Sequence, residues 1–124
     1  MIQSSKPRLQ RKFRYTAPLH VRQKFVHSHI SKELATKLGI KRRSMAVRKG
    51  DTVKIMTGKN RGKIGKVNQV SLGKGTILIE GILKKTAKGK EILIPISASN
   101  VYLTDLDLTD KLRKAKMDSL KTKK

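Results

Sequence analysis

Six consecutive residues, Gly58-Lys59-Asn60-Arg61-Gly62-Lys63, combine two glycines with three cations and an amide, and contain no carboxylate. Glycine permits positive φ and lets a partner approach the backbone, while Lys59, Asn60, Arg61 and Lys63 supply donors and charge. This is the chemistry of holding an anion. Covalent chemistry has no comparable footing. His20, His27 and His29 lack a neighbouring carboxylate or cysteine set with ligand spacing, and there is no cysteine in the chain. Asp105, Asp107 and Asp110 are spaced to favour the N-terminus of a following helix and to balance nearby lysines rather than to collect a divalent ion. No serine, lysine or carboxylate has a sequence neighbour that would activate it. The expectation is a protein that is not an enzyme and carries no cofactor or metal.

Composition says which anion. The 124 residues hold 31 Lys plus Arg against 8 Asp plus Glu, a net charge of +23. A chain that repels itself so strongly is expected to live against a polyanion. Residues 1–50 are the most basic part and include only one acid, Glu33. No signal-peptide pattern is present, and no apolar run approaches the roughly 18 residues of a membrane span. A soluble, intracellular protein with neither a membrane nor a small-molecule partner is expected.

The anion-holding loop needs two strands to present it. Val53 and Ile55 alternate with Thr52, Lys54 and Met56, which predicts a half-buried strand over 51–57. Over 63–70 the apolar residues Ile64, Val67 and Val70 fall three apart, so a bulge or a sharp bend is expected, with Gly65 the residue to permit it. Gly73 and Gly75 around Lys74 mark a hairpin turn. Ile77 and Ile79 face inward on a third strand over 76–80, a basic connection over 84–90 centres on Gly89, and strands follow over 91–96 and 101–103. Short strands with turn signals between them predict a small barrel whose closure removes exposed edges.

Helices are expected on both flanks. One runs from Thr16 as N-cap, with Pro18 near its first turn, to about His27; a second is capped by Ser31 and ended by Gly39, with Leu34 and Leu38 on one face. A third begins at Thr109 and Asp110, and the chain's end near Lys121, Lys123 and Lys124 is expected to fray. Before them all, residues 1–16 show little apolar periodicity. Arg8, Arg11, Lys12 and Arg14 there interleave with Phe13 and Tyr15, as suits an arm that orders on RNA, with arginines on phosphates and aromatics on bases. Lys41, Arg42 and Arg43 run directly before the central strands and are expected to share that contact.

Two other anion loops can be set aside. A P-loop needs four residues between its glycines and Ser or Thr after the lysine, whereas here there are three and Ile64 follows. Gly62-Lys63-Ile64-Gly65 fits the GXXG clamp of KH domains, but those clamps join helices and this tetrad lies among strand patterns.

The frame Val53, Ile55, Gly58, Lys59, Gly62, Gly65, Val67 resembles the KOW motif of RNA-associated proteins. The flanks sharpen the resemblance: Ala17-Pro18-x-His20-Val21-Arg22-x-Lys24, Ser31-Lys32-Glu33-Leu34, Arg43-Ser44-Met45 and Ser99-Asn100-Val101 are similar to the archaeal and eukaryotic form of the large-ribosomal-subunit protein twenty-four family. It covers about residues 11–114, with Ser97-Ala98 standing where relatives often have His-Pro. What it implies is a mainly β, SH3-like KOW barrel over 46–104. A basic RNA-binding arm over 1–16 and a helical extension over 17–45 would precede it, and a C-terminal helix with a basic tail over 105–124 would follow. It further implies a cytoplasmic structural protein of the large ribosomal subunit that binds large-subunit rRNA early in assembly, near the polypeptide exit tunnel, beside neighbouring ribosomal proteins. The expected RNA contacts are then Arg8, Arg11, Lys12, Phe13, Arg14, Tyr15, His20, Arg22, Lys24, Lys41, Arg42, Arg43, Lys59, Asn60, Arg61, Lys63, Lys66, Lys84 and Lys85, with Gly58, Gly62 and Gly65 shaping the loop. The other class of function, a regulatory KOW module on a polymerase or other protein, usually pairs the unit with a separate protein-binding domain. This length leaves no room for one.

Overall fold

Alternating burial builds the centre of the molecule, which is a computed structural model describing residues 4–121. In β3 (Thr52–Ile55) Val53 and Ile55 are buried while Lys54 is exposed, and in β7 (Val101–Asp105) Val101 and Leu103 are buried while Tyr102 faces out. The remaining strands are β1 (His27–Ile30), β2 (Ser44–Ala46), β4 (Ile64–Ser71), β5 (Thr76–Lys85) and β6 (Glu91–Ser97). They form one seven-stranded sheet in the order β2-β1-β7-β3-β4-β5-β6. Neighbours are antiparallel except β1 and β7, which run parallel. The sheet is mainly β as expected and barrel-like, but not closed: β2 and β6 remain as edges. Register shifts at Thr52/Val53, between Val67 and Gln69, and between Leu78 and Leu83 bend it. The bending lets Met45 of β2 and Ile77 and Ile82 of β5 join a single apolar core.

The bulge in β4 falls at Asn68, between Val67 and Gln69, and not at Gly65. Gly65 answers a different need. A Cβ there would lie 2.6 Å from Ile79 Cγ2 and 2.7 Å from the Glu80 carbonyl oxygen, so only glycine lets β4 lie this close to β5. The third strand also runs further than alternation indicated, passing through Gly81 at φ 79° and carrying Lys84 and Lys85 as strand residues.

Helices flank the sheet. In α3 (Lys32–Leu38) the Ser31 side chain accepts from Leu34 N at 3.2 Å and Gly39 closes the helix at φ 65°, as the sequence predicted. The first flank differs. Residues 7–16, whose few apolar side chains include Leu9 and Phe13 one turn apart, form α1 (Pro7–Thr16), and Thr16 ends that helix instead of capping the next. α2 (Leu19–Arg22) is a single turn with Pro18 as N-cap, followed by a 3-10 turn over Gln23–Phe25, and His27 begins a strand. Arg22 fastens the α1–α2 corner: its Nε donates to the Ala17 carbonyl at 2.7 Å, and another of its guanidinium nitrogens donates to the Tyr15 carbonyl. α4 (Lys111–Leu120) is capped by Asp110, whose side chain accepts from Leu112 N at 2.9 Å. The fraying expected of the chain's end falls, for Lys123 and Lys124, outside the described residues, while Lys121 bridges to Ile40 and pairs with Asp118 at 2.6 Å.

One buried ion pair ties α4 to the sheet. Asp51 is wholly buried, and the Arg113 guanidinium meets it with two parallel bonds, 2.6 Å to Oδ1 and 2.8 Å to Oδ2. Arg48 N and Asp107 N donate to the same carboxylate at 2.8 and 3.0 Å, and Arg113 also donates to the Asp107 carbonyl at 2.9 Å. Removing one partner strands the other without counter-charge. Arg113→Met is therefore expected to lower stability by about 3–5 kcal/mol in urea unfolding. Arg48→Met, which breaks only the exposed pair with Asp110, is expected to cost less than about 1 kcal/mol.

His27 lies where β1 meets α4, and burial holds its pKa below the ordinary 6.5, helped by the charges of Arg42 and Lys116. The folded state therefore refuses a proton that the unfolded chain accepts. Stability from this residue is complete above pH 6.5 and is lost as pH falls from there towards its lowered value. Urea midpoints measured down this window are expected to decline in the parent protein and to decline less in His27→Gln.

Candidate nucleic-acid interface

The β3–β4 loop is held by its own backbone, which frees its side chains. Gly62 N donates to the Ile55 carbonyl at 2.8 Å, Ile55 N to Lys63 at 2.9 Å and Arg61 N to Gly58 at 3.0 Å. Gly58 and Gly62 both take φ 87°, a conformation that disfavours any residue with a Cβ. Lys59, Arg61 and Lys63 are exposed and Asn60 is half-buried. No described carboxylate forms an ion pair with the three cations. Fixed backbone and free charge together suit a phosphate-bearing partner whose shape is met rather than moulded.

The N-terminal cations lie on α1. Arg8, Arg11, Lys12 and Arg14 are exposed, and so are Lys24 and His20 beyond the corner. The two aromatics of the arm divide. Phe13 packs edge-on against Phe25 with ring centroids 6.0 Å apart, and the Arg14 guanidinium sits 5.6 Å from the Phe25 centroid, whereas Tyr15 is 82% exposed. Arg22 is half-buried, with two of its nitrogens engaged by backbone carbonyls. Lys66, Lys84 and Lys85 are exposed on strands, Lys85 facing Glu91 at 3.9 Å.

Nearness in sequence does not become nearness in space for the two central clusters. Lys41, Arg42 and Arg43 are exposed ahead of β2, one edge of the sheet, and β1, β7 and β3 separate that strand from β4. Counted along the bent sheet at the usual strand spacing, β2 and β4 are at most roughly 19 Å apart. Between the clusters lie three outward side chains that residue type alone did not single out: His29, Tyr102 and Lys54. Alternation in β3 and β7 is the signal that could have found Lys54 and Tyr102.

The acids are mostly engaged. Asp107 is held below the ordinary 3.8 chiefly by the Thr109 hydroxyl and backbone N–H, Asp110 by the Arg48 guanidinium and then Leu112 N, and Asp118 by Lys121. Asp51 is buried on Arg113. Among the described residues no group of three or more His, Asp or Glu side chains could hold a metal ion, and no helix is long and apolar enough to cross a membrane.

Comparison with known proteins matches this surface to a family. The family model that describes the eukaryotic ribosomal proteins L26 and their archaeal counterparts, the archaeal form of protein twenty-four, matches residues 4–119. The chain is 46% identical over 118 residues to the large ribosomal subunit protein uL24 of Saccharolobus solfataricus, covering 95% of this chain and 98% of the relative. It is 49% identical over 110 residues to the protein of that name from Methanosarcina barkeri, covering 89% and 93%. The Pyrobaculum islandicum protein matches at 46% over 110 residues, covering 89% and 88%. These matches extend across the sheet and both flanks, and the chain belongs to this family of ribosomal proteins, a family of structural and non-enzymatic members.

Proposed function

We propose that this protein binds large-subunit rRNA chiefly through phosphates, helps initiate subunit assembly and lies near the polypeptide exit tunnel, beside neighbouring ribosomal proteins. As a family member whose relatives are large-subunit proteins, it is a structural constituent of the large ribosomal subunit and works in the cytoplasm. The observation that carries the binding mode is the supply of exposed cations without an acidic partner: the loop Lys59, Arg61 and Lys63, the run Lys41 to Arg43, and the α1 face. Phe13, Tyr15, His20, Arg22, Lys24, Asn60, Lys66, Lys84 and Lys85 extend the proposed surface. The loop glycines Gly58, Gly62 and Gly65 set its shape. The arm over residues 1–16, the extension over 17–45, the barrel over 46–104 and the tail over 105–124 would then act as four attachments to one RNA. The place in assembly and the position near the tunnel follow the family resemblance.

Over the whole chain lysines outnumber arginines 22 to 9, and on the proposed surface eight lysines, point charges without the planar fork of arginine, stand with seven arginines, so phosphate contacts should outnumber base-edge contacts. If about ten of them meet phosphates, the log–log salt dependence of rRNA binding has a slope of order −7 to −9. A measured slope near −2 would contradict the reading. Replacing Lys59, Arg61 and Lys63 together by Gln is expected to make the slope shallower by about 2–3 while circular dichroism stays unchanged. In cells, the protein is expected at one copy per salt-washed large subunit. A pool bound to free polymerase in its place would sink the proposal.

A further inference from the structure

A row of outward side chains crosses five strands of the sheet. In register they are Ser44 on β2, His29 on β1, Tyr102 on β7, Lys54 on β3 and Ile64 on β4. Their inward neighbours Met45, Ile30, Leu103, Val101, Val53 and Ile55 are all buried, so the row belongs to the outer face. His29 and Tyr102 are an aromatic pair, ring centroids 5.7 Å apart and inclined at 61°. Tyr102 is 38% exposed and Ile64 60% exposed on a central part of the sheet, where exposed apolar surface is otherwise costly. Ser44 follows Arg43 directly and Ile64 follows Lys63 directly, so each end of the row abuts a basic cluster.

From this arrangement we infer that the His29–Tyr102 pair is a stacking platform for an unpaired nucleobase of a single-stranded RNA segment whose phosphates are held by the cations at the two ends of the row. Aromatic rings on a sheet face accept bases of any identity because every base has a π-face, and they leave the backbone to neighbouring cations. Lys54, beside Tyr102 in the β3–β7 register, adds a third cation within the row. RNA is favoured over an apolar protein partner by charge: no acid stands among the five residues, and each end adjoins cations, Arg43 beside Ser44 and Lys63 beside Ile64. The inference rests on the proposed rRNA binding and adds a class of ligand to it. Phosphate neutralisation accepts duplex and single strand alike, whereas a platform requires a base out of its helix.

Stacking and counterion release answer differently to salt, and the test uses that difference. The full-length protein is titrated with a short single-stranded oligoadenylate and with an RNA duplex of equal length, at several salt concentrations. Tyr102→Val, a replacement that suits a strand, is expected to weaken oligoadenylate binding by roughly five- to a hundredfold. The factor should be the same at every salt concentration, with an unchanged slope and unchanged duplex affinity, and Tyr102→Phe should bind as the parent does. The chain has two tyrosines and no tryptophan. In a Tyr15→Phe protein, Tyr102 is therefore the only strong intrinsic fluorophore, and oligoadenylate is expected to quench it while duplex is not. This readout stands even if Tyr102→Val folds poorly. Parent-like oligoadenylate binding by a folded Tyr102→Val, an equal loss on duplex, or absence of selective quenching would overturn the platform. A steep salt slope in the parent would then leave phosphate binding intact, and a shallow one would remove that reading whatever Tyr102 does.

Discussion

A carboxylate buried at the start of β3 decides how this chain holds together. Asp51 accepts four hydrogen bonds, two from Arg113 and one each from the backbone of Arg48 and Asp107. The turn leading into β3, the segment leaving β7 and the last helix thus converge on one pair of oxygen atoms. In a chain of net charge +23, a negative group in the interior also has an electrostatic use, since it anchors α4, a helix that carries several lysines, against a basic body. The fork of Arg113 suits the task in a way a lysine would not, because both oxygens are met in plane while a third bond goes to the Asp107 carbonyl.

With acids spent on caps and on this pair, the cations are left to face outward, and the sheet gives them fixed positions. The β3–β4 loop is stiffened by its own backbone bonds, so its lysines and arginine project from a known frame. α1 is aimed by contacts outside itself: Phe13 against Phe25, and Arg22 drawn to the carbonyls that end the helix. Under the proposed rRNA binding, recognition by such a surface would depend on where phosphates lie in space, which is a property of RNA shape.

How much of this was readable before folding differs by element. β3, α3 and α4 were legible because their signals are local: Val53 and Ile55 alternate, Ser31 and Gly39 bracket α3, and Asp110 precedes α4. β1 was not, since His27 and His29 occupy its outer positions and Ser28, an inward residue, is buried only because its hydroxyl reaches the Val101 carbonyl far along the chain. β2 has three residues, too few for a period. α1 was missed because its apolar face is small: Leu9 and Phe13 stand one turn apart among cations, none of its residues is buried, and Phe13 packs on Phe25. The closed barrel expected from many short strands is an open one, an outcome that depends on pairing at two edges. The cations proposed for the surface are recognisable by type, as basic clusters, but their spacing was not legible. Lys41 to Arg43 and the loop lie close in sequence and on strands well separated in the sheet, and Arg113 gave no sign of the partner that buries it.

The open sheet has a consequence for the protein's life before it meets RNA. β6 is a free edge next to a hairpin on which Leu83 and Ile92 are 47% and 50% exposed, a surface on which second copies could add strands. Pro95 interrupts its donors, and Lys84, Lys85, Lys88 and Lys90 surround its start, so a second copy adding a strand there would meet like charge. A polyanion that neutralises those lysines without covering the edge removes this safeguard. Charge and Pro95 are thus the guards of this edge, and a partner that covers the lysines guards it fully only by covering the strand as well.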